Sequence, residues 1–210
     1  SSLDARTRAS AGRTLRRIID DSGIPTVVVT HDFHEAGLLG DVAILLDKGR
    51  VLQSGPPEEV FRRPASPYIA EFLGAENVLA GTARVLEDLA PDWTDAPPSE
   101  FRDGHPAIEF TSGGLTIYTV GLPPAGATSY AVIRAEEVVV SRTPQASSAR
   151  NLFRGTVREV AILGAYARVT LETGGGPLVA ALTARSVHEL GLAEGVEAYA
   201  TFKAMAVHLC

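Results

Sequence analysis

Two groups of residues in this 210-residue chain carry side chains that could do chemistry at defined spacing. The first is the triplet Thr30-His31-Asp32, directly after the run Ile24-Pro25-Thr26-Val27-Val28-Val29. Ligands of doubly wound sheets bind beyond the carboxyl ends of the strands. A histidine placed there can donate to a terminal phosphate and change charge near neutral pH. The same triplet also suits a strand-end histidine that only caps a turn. The second group lies towards the C-terminus. Ser148-Ala149-Arg150-Asn151 leads into a strand, Thr183-Ala184-Arg185-Ser186 opens a helix-like run, and Lys203 sits in the last strand. Three hydroxyls, a guanidinium, an ammonium and the N–H groups of a helix start make a donor set for a small tetrahedral dianion. At about 1.5–3 kcal/mol per charge-assisted hydrogen bond, about four or five contacts reach micromolar affinity. The arginine fork suits paired oxygens, and the lysine acts as a point charge. Ser148 and Thr183 equally fit simple caps, and Lys203 a snorkelling strand residue.

The elements that must position these residues follow from local pattern. Leu15, Ile18 and Ile19 have helical spacing, so a helix is expected from Asp4 to Asp20, with Asp4 as N-cap and Ser22-Gly23 as the stop. The β-branched run from Ile24 to Thr30 reads as a strand buried on both faces. A short helix from Phe33 to Leu39 follows, then a hairpin of Val42–Leu46 and Arg50–Gln53 turning at Asp47-Lys48-Gly49. Pro56-Pro57 opens a helix over Glu58–Arg62, and Tyr68–Leu73 is another. This order is the end of an α/β domain.

From Gly74 onward short alternating runs with frequent Gly and Pro predict a small β-barrel or sandwich. It contains an internal repeat. Asn77-Val78-Leu79-Ala80-Gly81-Thr82-Ala83-Arg84 matches Asn151-Leu152-Phe153-Arg154-Gly155-Thr156-Val157-Arg158, and Glu109–Leu115 matches Glu172–Leu178. The stretch Pro91–Pro106 absorbs the extra length of the first copy as a loop.

Composition narrows the function. Net charge is −6, and of 19 basic residues only Lys48 and Lys203 are lysine, which argues against a nucleic-acid-binding surface. The single cysteine, Cys210, excludes an internal disulfide framework and favours a reducing compartment. The uncharged stretch Phe110–Ile133 contains Pro123, Pro124 and four glycines, so it reads as strands and turns, not as a membrane helix. His34, His105, His188 and His208 lack metal-ligand spacing, and Gly174-Gly175-Gly176 reads as a hairpin turn. Arg13, Arg16 and Arg17 form a solvated helix face or a subunit contact. The chain begins Ser1-Ser2-Leu3 and its only methionine is Met205, which suggests a piece of something longer.

Taken in order, Ser1–Asp4, Thr30-His31-Asp32, Glu35-Ala36, Asp41, Asp47–Arg50, Gly55–Val60 and Pro64–Gly74 resemble the tail of an ABC-transporter ATPase. Ser1–Asp4 resembles the D-loop, His31 the switch-loop histidine, and Gly55–Gly74 the closing helices of importer subunits. Further along, Ser148–Asn151, Gly155-Thr156-Val157, Val169-Thr170-Leu171, Leu182–Val187, Leu192–Gly195 and Phe202-Lys203-Ala204 resemble a Mop-type molybdate-binding domain. Ala131–Glu136 is similar to the strand motif of the transport-associated OB (TOBE) region, with Ala135 where that family usually has proline.

The resemblance implies an α/β fragment, the end of a P-loop NTPase-type nucleotide-binding domain, over residues 1–75. An all-β OB-like TOBE/Mop domain follows over 76–210, with halves at 76–143 and 147–210. It implies an importer subunit that uses ATP and Mg, with catalytic roles for His31 and Asp4, and molybdate or tungstate as a regulatory ligand. The implied oxyanion ligands are Ser148, the Ala149 N–H, Arg150, Thr183, Ser186 and Lys203, drawn from two subunits. Glu76, before Asn77 in the first copy, would repel an oxyanion, so only the second half should bind one. Implied partners are a homodimeric copy and membrane permease subunits on the cytoplasmic face, with no nucleic acid. No Gly-x4-Gly-Lys loop is present, so the chain by itself is expected not to hydrolyse ATP. The alternatives are a stand-alone oxyanion-binding or storage module, or an importer ATPase for sulfate, sugar or polyamine with a structural TOBE domain.

Overall fold

The computed structural model describes residues 5–86, 107–121 and 128–210. Asp4 and the rest of the D-loop-like Ser1–Asp4 segment, the Pro91–Pro106 stretch, His105 and Pro123-Pro124 lie outside the described residues. The chain divides into two compact units between Ala65 and Ser66.

In the first unit α1 (Ala5–Ser22) precedes α2 (Phe33–Leu39), a hairpin of β1 (Ala43–Asp47) and β2 (Arg50–Gly55), and α3 (Pro57–Arg62). The hairpin turns at Lys48-Gly49, whose φ angles of 46° and 75° are those of a type I′ turn. Arg16 is more than a solvated residue of α1. Its guanidinium donates to the Leu39 carbonyl at 2.8 Å and to Asp41 at 2.8 Å, tying α1 to the end of α2. The hydrogen bonds to Asp41 and then Asp20 raise its pKa further.

The expected doubly buried strand at residues 24–30 does not form. The segment carries no strand ladder, and Val27 and Val29 are 91% and 94% exposed. A β-branched run becomes a strand only where a neighbour offers a hydrogen-bonding edge, and no described segment pairs with this one.

The second unit begins with α4 (Pro67–Phe72), capped by the Ser66 hydroxyl accepting from Ile69 N. Two copies of one strand pattern follow. The first is β3 (Asn77–Val85), β4 (Ala107–Ser112), β5 (Leu115–Val120), β6 (Ser129–Ile133), a 3₁₀ turn (Ala135–Glu137) and β7 (Val139–Ser141). The second is β8 (Asn151–Leu163), β9 (Tyr166–Thr173), β10 (Gly176–Thr183), α5 (Ala184–Glu189), β11 (Glu197–Phe202), a 3₁₀ turn (Ala204–Ala206) and β12 (Val207–Leu209).

The sheet orders are β12-β6-β3-β4-β5 and β10-β9-β8-β11-β7. Each sheet is therefore completed by the last strand of the other repeat. β7 pairs with β11, and β12 with β6. The uncharged stretch Phe110–Ile133 supplies β4 to β6, apart from residues 122–127, which are not described. One apolar core runs through both repeats, around Phe110, Ile117, Ile133, Val157, Leu171, Leu178 and Phe202. Burying each of these side chains contributes roughly 1.5–3 kcal/mol.

Within the repeat the hairpin correspondence differs from the sequence match. Ser112 pairs with Leu115 and Thr173 with Gly176, so Leu178 stands opposite Ile117 in the repeat, not Leu115. Register follows the turn, and the Gly113-Gly114 and Gly174-Gly175 turns align in place of the identical letters. Those turns also touch. A Cβ on Gly113 would lie 2.8 Å from the Gly175 carbonyl oxygen, and one on Gly175 would strike Leu115, so neither of these two positions has room for a side chain.

Two buried asparagines join the repeats. Asn77 heads β3, and its amide donates to Ile133 O at 3.1 Å and Val179 O at 2.9 Å while accepting from Val179 N at 2.7 Å. Asn151 heads β8 and makes the reciprocal pair with Tyr118, accepting from its N–H at 2.7 Å and donating to its carbonyl at 2.9 Å. Asn151→Ala would leave both Tyr118 backbone groups unsatisfied, so it should lower unfolding free energy by about 2–4 kcal/mol in urea titration. Asn77→Ala should act alike, whereas exposed Thr156→Ala should stay within about 0.5 kcal/mol.

Candidate functional site: two half-sets across the repeat seam

Thr30-His31-Asp32 forms a turn into α2. Asp32 is the N-cap, its carboxylate accepting from His34 N at 2.9 Å and Glu35 N at 3.1 Å. Thr30 Oγ1 donates to Glu35 at 2.5 Å and accepts from Asp32 N at 3.0 Å. The two neighbours fix the backbone, and His31 is left as the exposed member of the triplet. The capping role thus belongs to Asp32.

The six C-terminal candidates fall into two groups. In the β8–β11 ladder Asn151 pairs with Phe202, so Arg150 and Lys203 stand opposite one another just past its last pair. Ser148, Ala149, Arg150 and Lys203 therefore gather at the start of β8. Ser148, Arg150 and Lys203 are exposed. The Ala149 N–H donates to Ser147 Oγ at 3.2 Å, which competes with any anion for that donor. Lys203 is also the N-cap of the 3₁₀ turn Ala204–Ala206. That turn rests on β5 of the first repeat, where Thr119 Oγ1 donates to the carbonyls of Ala204 at 3.2 Å and Val207 at 3.0 Å.

Thr183 and Ser186 lie elsewhere. Thr183 pairs with Tyr166, and Tyr166 with Leu163, at the far end of β8 from Asn151. Thr183 caps α5, accepting from Ser186 N at 3.0 Å, with the two hydroxyls 2.8 Å apart. The cap already uses the Ser186 N–H, so the hydroxyls, not that amide, are what this group offers. Within one chain the six residues do not converge.

Sequence reasoning missed Arg168. On β9 it alternates outward with Tyr166 and forms an ion pair with Glu76, in the lead into β3. Alternation alone marks Arg168 as exposed. Its partner, 92 residues away, has no local signal. Among the described residues no three His, Cys, Asp or Glu side chains cluster as a metal site, and no helix is long and apolar enough to cross a membrane.

Residues 147–209 match the TOBE domain family. The chain is 34% identical over its full length to the molybdate/tungstate import ATP-binding protein WtpC of Pyrococcus horikoshii, covering 54% of that protein. It is 33% identical over 84% of its length to the sulfate/thiosulfate import ATP-binding protein CysA 2 of Chromobacterium violaceum, covering 42% of it. It spans about half the length of these curated relatives, or less. Among solved structures it is similar to the cytoplasmic molybdate-binding protein ModG with molybdate bound. The TM-score is 0.53 and the identity 29%, covering 65% of this chain and 96% of that one.

The caps make a direct prediction. Asp32→Ala and Thr183→Ala should each cost about 1 kcal/mol in thermal or urea unfolding of the unit that carries them. Residues 147–209 thus match the TOBE domain family, and the chain as a whole is similar to part of the import ATP-binding proteins WtpC and CysA 2.

Proposed function

We propose that the chain is the C-terminal portion of the ATP-binding subunit of an ABC importer for molybdate or tungstate. In this reading residues 1–75 close the nucleotide-binding domain, and residues 76–210 are an oxyanion-sensing regulatory domain. The observation that carries it is the placement of Arg150 opposite Lys203 at the end of the β8–β11 ladder, on a fold similar to that of a molybdate-bound protein.

The two half-sets become one site when a second copy brings its Thr183 and Ser186 to the Ser148–Arg150 and Lys203 of the first. Homodimerisation is then part of the binding chemistry. Bound oxyanion would favour one arrangement of the pair over another, and it regulates transport to the extent that the two arrangements differ in oxyanion affinity. In the intact subunit His31 and Asp4 serve ATP and Mg chemistry, and permease subunits hold the assembly on the cytoplasmic face of the membrane. The exposed run at residues 24–30 then pairs with the strands of the preceding half-domain.

The sulfate/thiosulfate relative supports a second reading, import of sulfate with the same architecture. The likeness to ModG, nearly all of which is covered, supports a stand-alone binding module. A phosphate-loop sequence upstream of Ser1 would decide against that module.

Isothermal calorimetry of the 210-residue chain with molybdate, tungstate and sulfate tests the substrate. Molybdate or tungstate should bind with micromolar or better affinity, and Lys203→Ala should weaken it about 10-fold or more. Absence of heat with molybdate and tungstate at millimolar concentration overturns the assignment, and tighter binding of sulfate transfers it to the sulfate reading.

A further inference from the structure

The second repeat supplies Arg150 and Lys203, which face each other beyond the Asn151–Phe202 pair, but the first repeat holds them in place. Arg150 precedes Asn151, whose amide is bonded to the Tyr118 backbone on both sides, at 2.7 and 2.9 Å. Lys203 caps the 3₁₀ turn Ala204–Ala206, which is closed by Ala206 N donating to Lys203 O at 3.0 Å. Thr119 Oγ1 donates to Ala204 O at 3.2 Å and to Val207 O at 3.0 Å, one carbonyl at each end of that turn. Tyr118-Thr119 of β5 therefore grips both sides of the cation pair, Tyr118 through its backbone and Thr119 through its side chain.

The matching end of the seam separates these two grips. Val179 of β10 binds Asn77 as Tyr118 binds Asn151, so the position equivalent to Thr119 is Ala180. Alanine has no hydroxyl to give the turn Ala135–Glu137. Arg134 nevertheless caps that turn with φ −73° and ψ 140°, against −73° and 150° at Lys203. The turn thus forms without the hydroxyl. Thr119 is only 2% exposed, and burying a hydroxyl is unfavourable unless it is bonded. Its bonds go to the turn that carries Lys203.

We propose that Thr119 is a positioning residue for oxyanion binding, its hydroxyl fixing the Lys203 turn so that the ammonium is presented beside Arg150. The proposal rests on the reading in which Lys203 binds an oxyanion, and it adds no ligand to that set. Lysine is a point charge on a flexible stem, so its backbone is the part of it that can be fixed beforehand. Phe202, 1% exposed, anchors the residue before Lys203, and Thr119 anchors the residues after it. Two cations side by side repel until an anion lies between them. A tied turn keeps Lys203 from moving away from Arg150, which leaves less ordering for the anion to impose on binding.

The test titrates molybdate and tungstate by calorimetry into the 210-residue chain and three variants. Thr119→Val keeps the shape and removes the hydroxyl, Thr119→Ala installs the residue of the matching position, and Thr119→Ser keeps the hydroxyl. The first two should weaken binding about 3–10-fold, while Thr119→Ser should stay within about 2-fold of the parent. In a Lys203→Ala background Thr119→Val should change affinity by less than about 2-fold, because the residue it acts through is gone. Parent-like binding by both hydroxyl-free variants overturns the proposal, as does a loss that persists in full in the Lys203→Ala background. Hydrogen exchange reads the same tie without ligand. The Ala206 N–H should exchange at least about 3-fold faster in Thr119→Val and Thr119→Ala than in Thr119→Ser. A parent chain that binds neither oxyanion sinks the molybdate reading alone. Exchange at Ala206 then decides whether Thr119 holds the turn, and equal rates in all three variants overturn it.

Discussion

Each repeat ends its sheet in an edge strand, β5 or β10, whose outer backbone groups face protein where the two repeats meet. An edge N–H and C=O left unpaired there would cost roughly 1–3 kcal/mol per group. An asparagine amide offers one acceptor and a donor in nearly the geometry of a neighbouring peptide. Asn151 and Asn77 use it that way on Tyr118 and Val179, each from the other repeat. Both are 1% exposed. Neither edge is satisfied by its own repeat, so neither repeat is complete without the other. The exchange of β7 and β12 between sheets expresses the same dependence. Gly81 and Gly155, four residues after the asparagines, allow each β3 or β8 backbone to press on the following hairpin. A Cβ on Gly155 would lie 2.8 Å from Glu172 O, and one on Gly81 would strike Thr111 O.

That reciprocity decides where polar chemistry can gather. Each asparagine holds the residues just before it at one end of the seam, and the cation that ends β6 or β11 falls opposite. Duplication therefore yields two ends with the same scaffold, which substitution has made different. At the Lys203 end two cations stand together. At the other, Glu76 meets Arg168. The hydroxyl pair of Thr183 and Ser186 lies at the far end of β8 from Asn151, so the donor set seen along the sequence is split in space.

The relatives are import ATP-binding proteins, about half of whose length this chain spans. Import proteins for different oxyanions are similar to this chain in sequence, and a molybdate-binding protein is similar to 65% of it in fold. Molybdate, tungstate and sulfate share shape and charge, so donor type alone does not separate them. Under the proposed function, selectivity among them would rest on the size of the closed site and so on how the half-sets meet.

Much was legible along the chain. The 3.6-residue pattern marked α1, the Lys48-Gly49 turn marked the first hairpin, and repeated Asn-x3-Gly spacing marked the starts of β3 and β8. Local signals suffice there because the contacts that make those elements lie within a few residues. They failed at residues 24–30, where β-branched composition implied a buried strand but a strand also needs an edge to pair with. They failed again for Arg168 and for the hairpin correspondence, since identical letters do not set register. By itself the sequence determined α1, the first hairpin and its turn, the repeated starts of β3 and β8, and which residues could hold an anion. Only the tertiary structure decided that those residues divide between the two ends of β8, and that Glu76 pairs with Arg168. Pairing of side chains up to 92 residues apart depends on the register of exchanged strands, and register is a property of the assembled sheets.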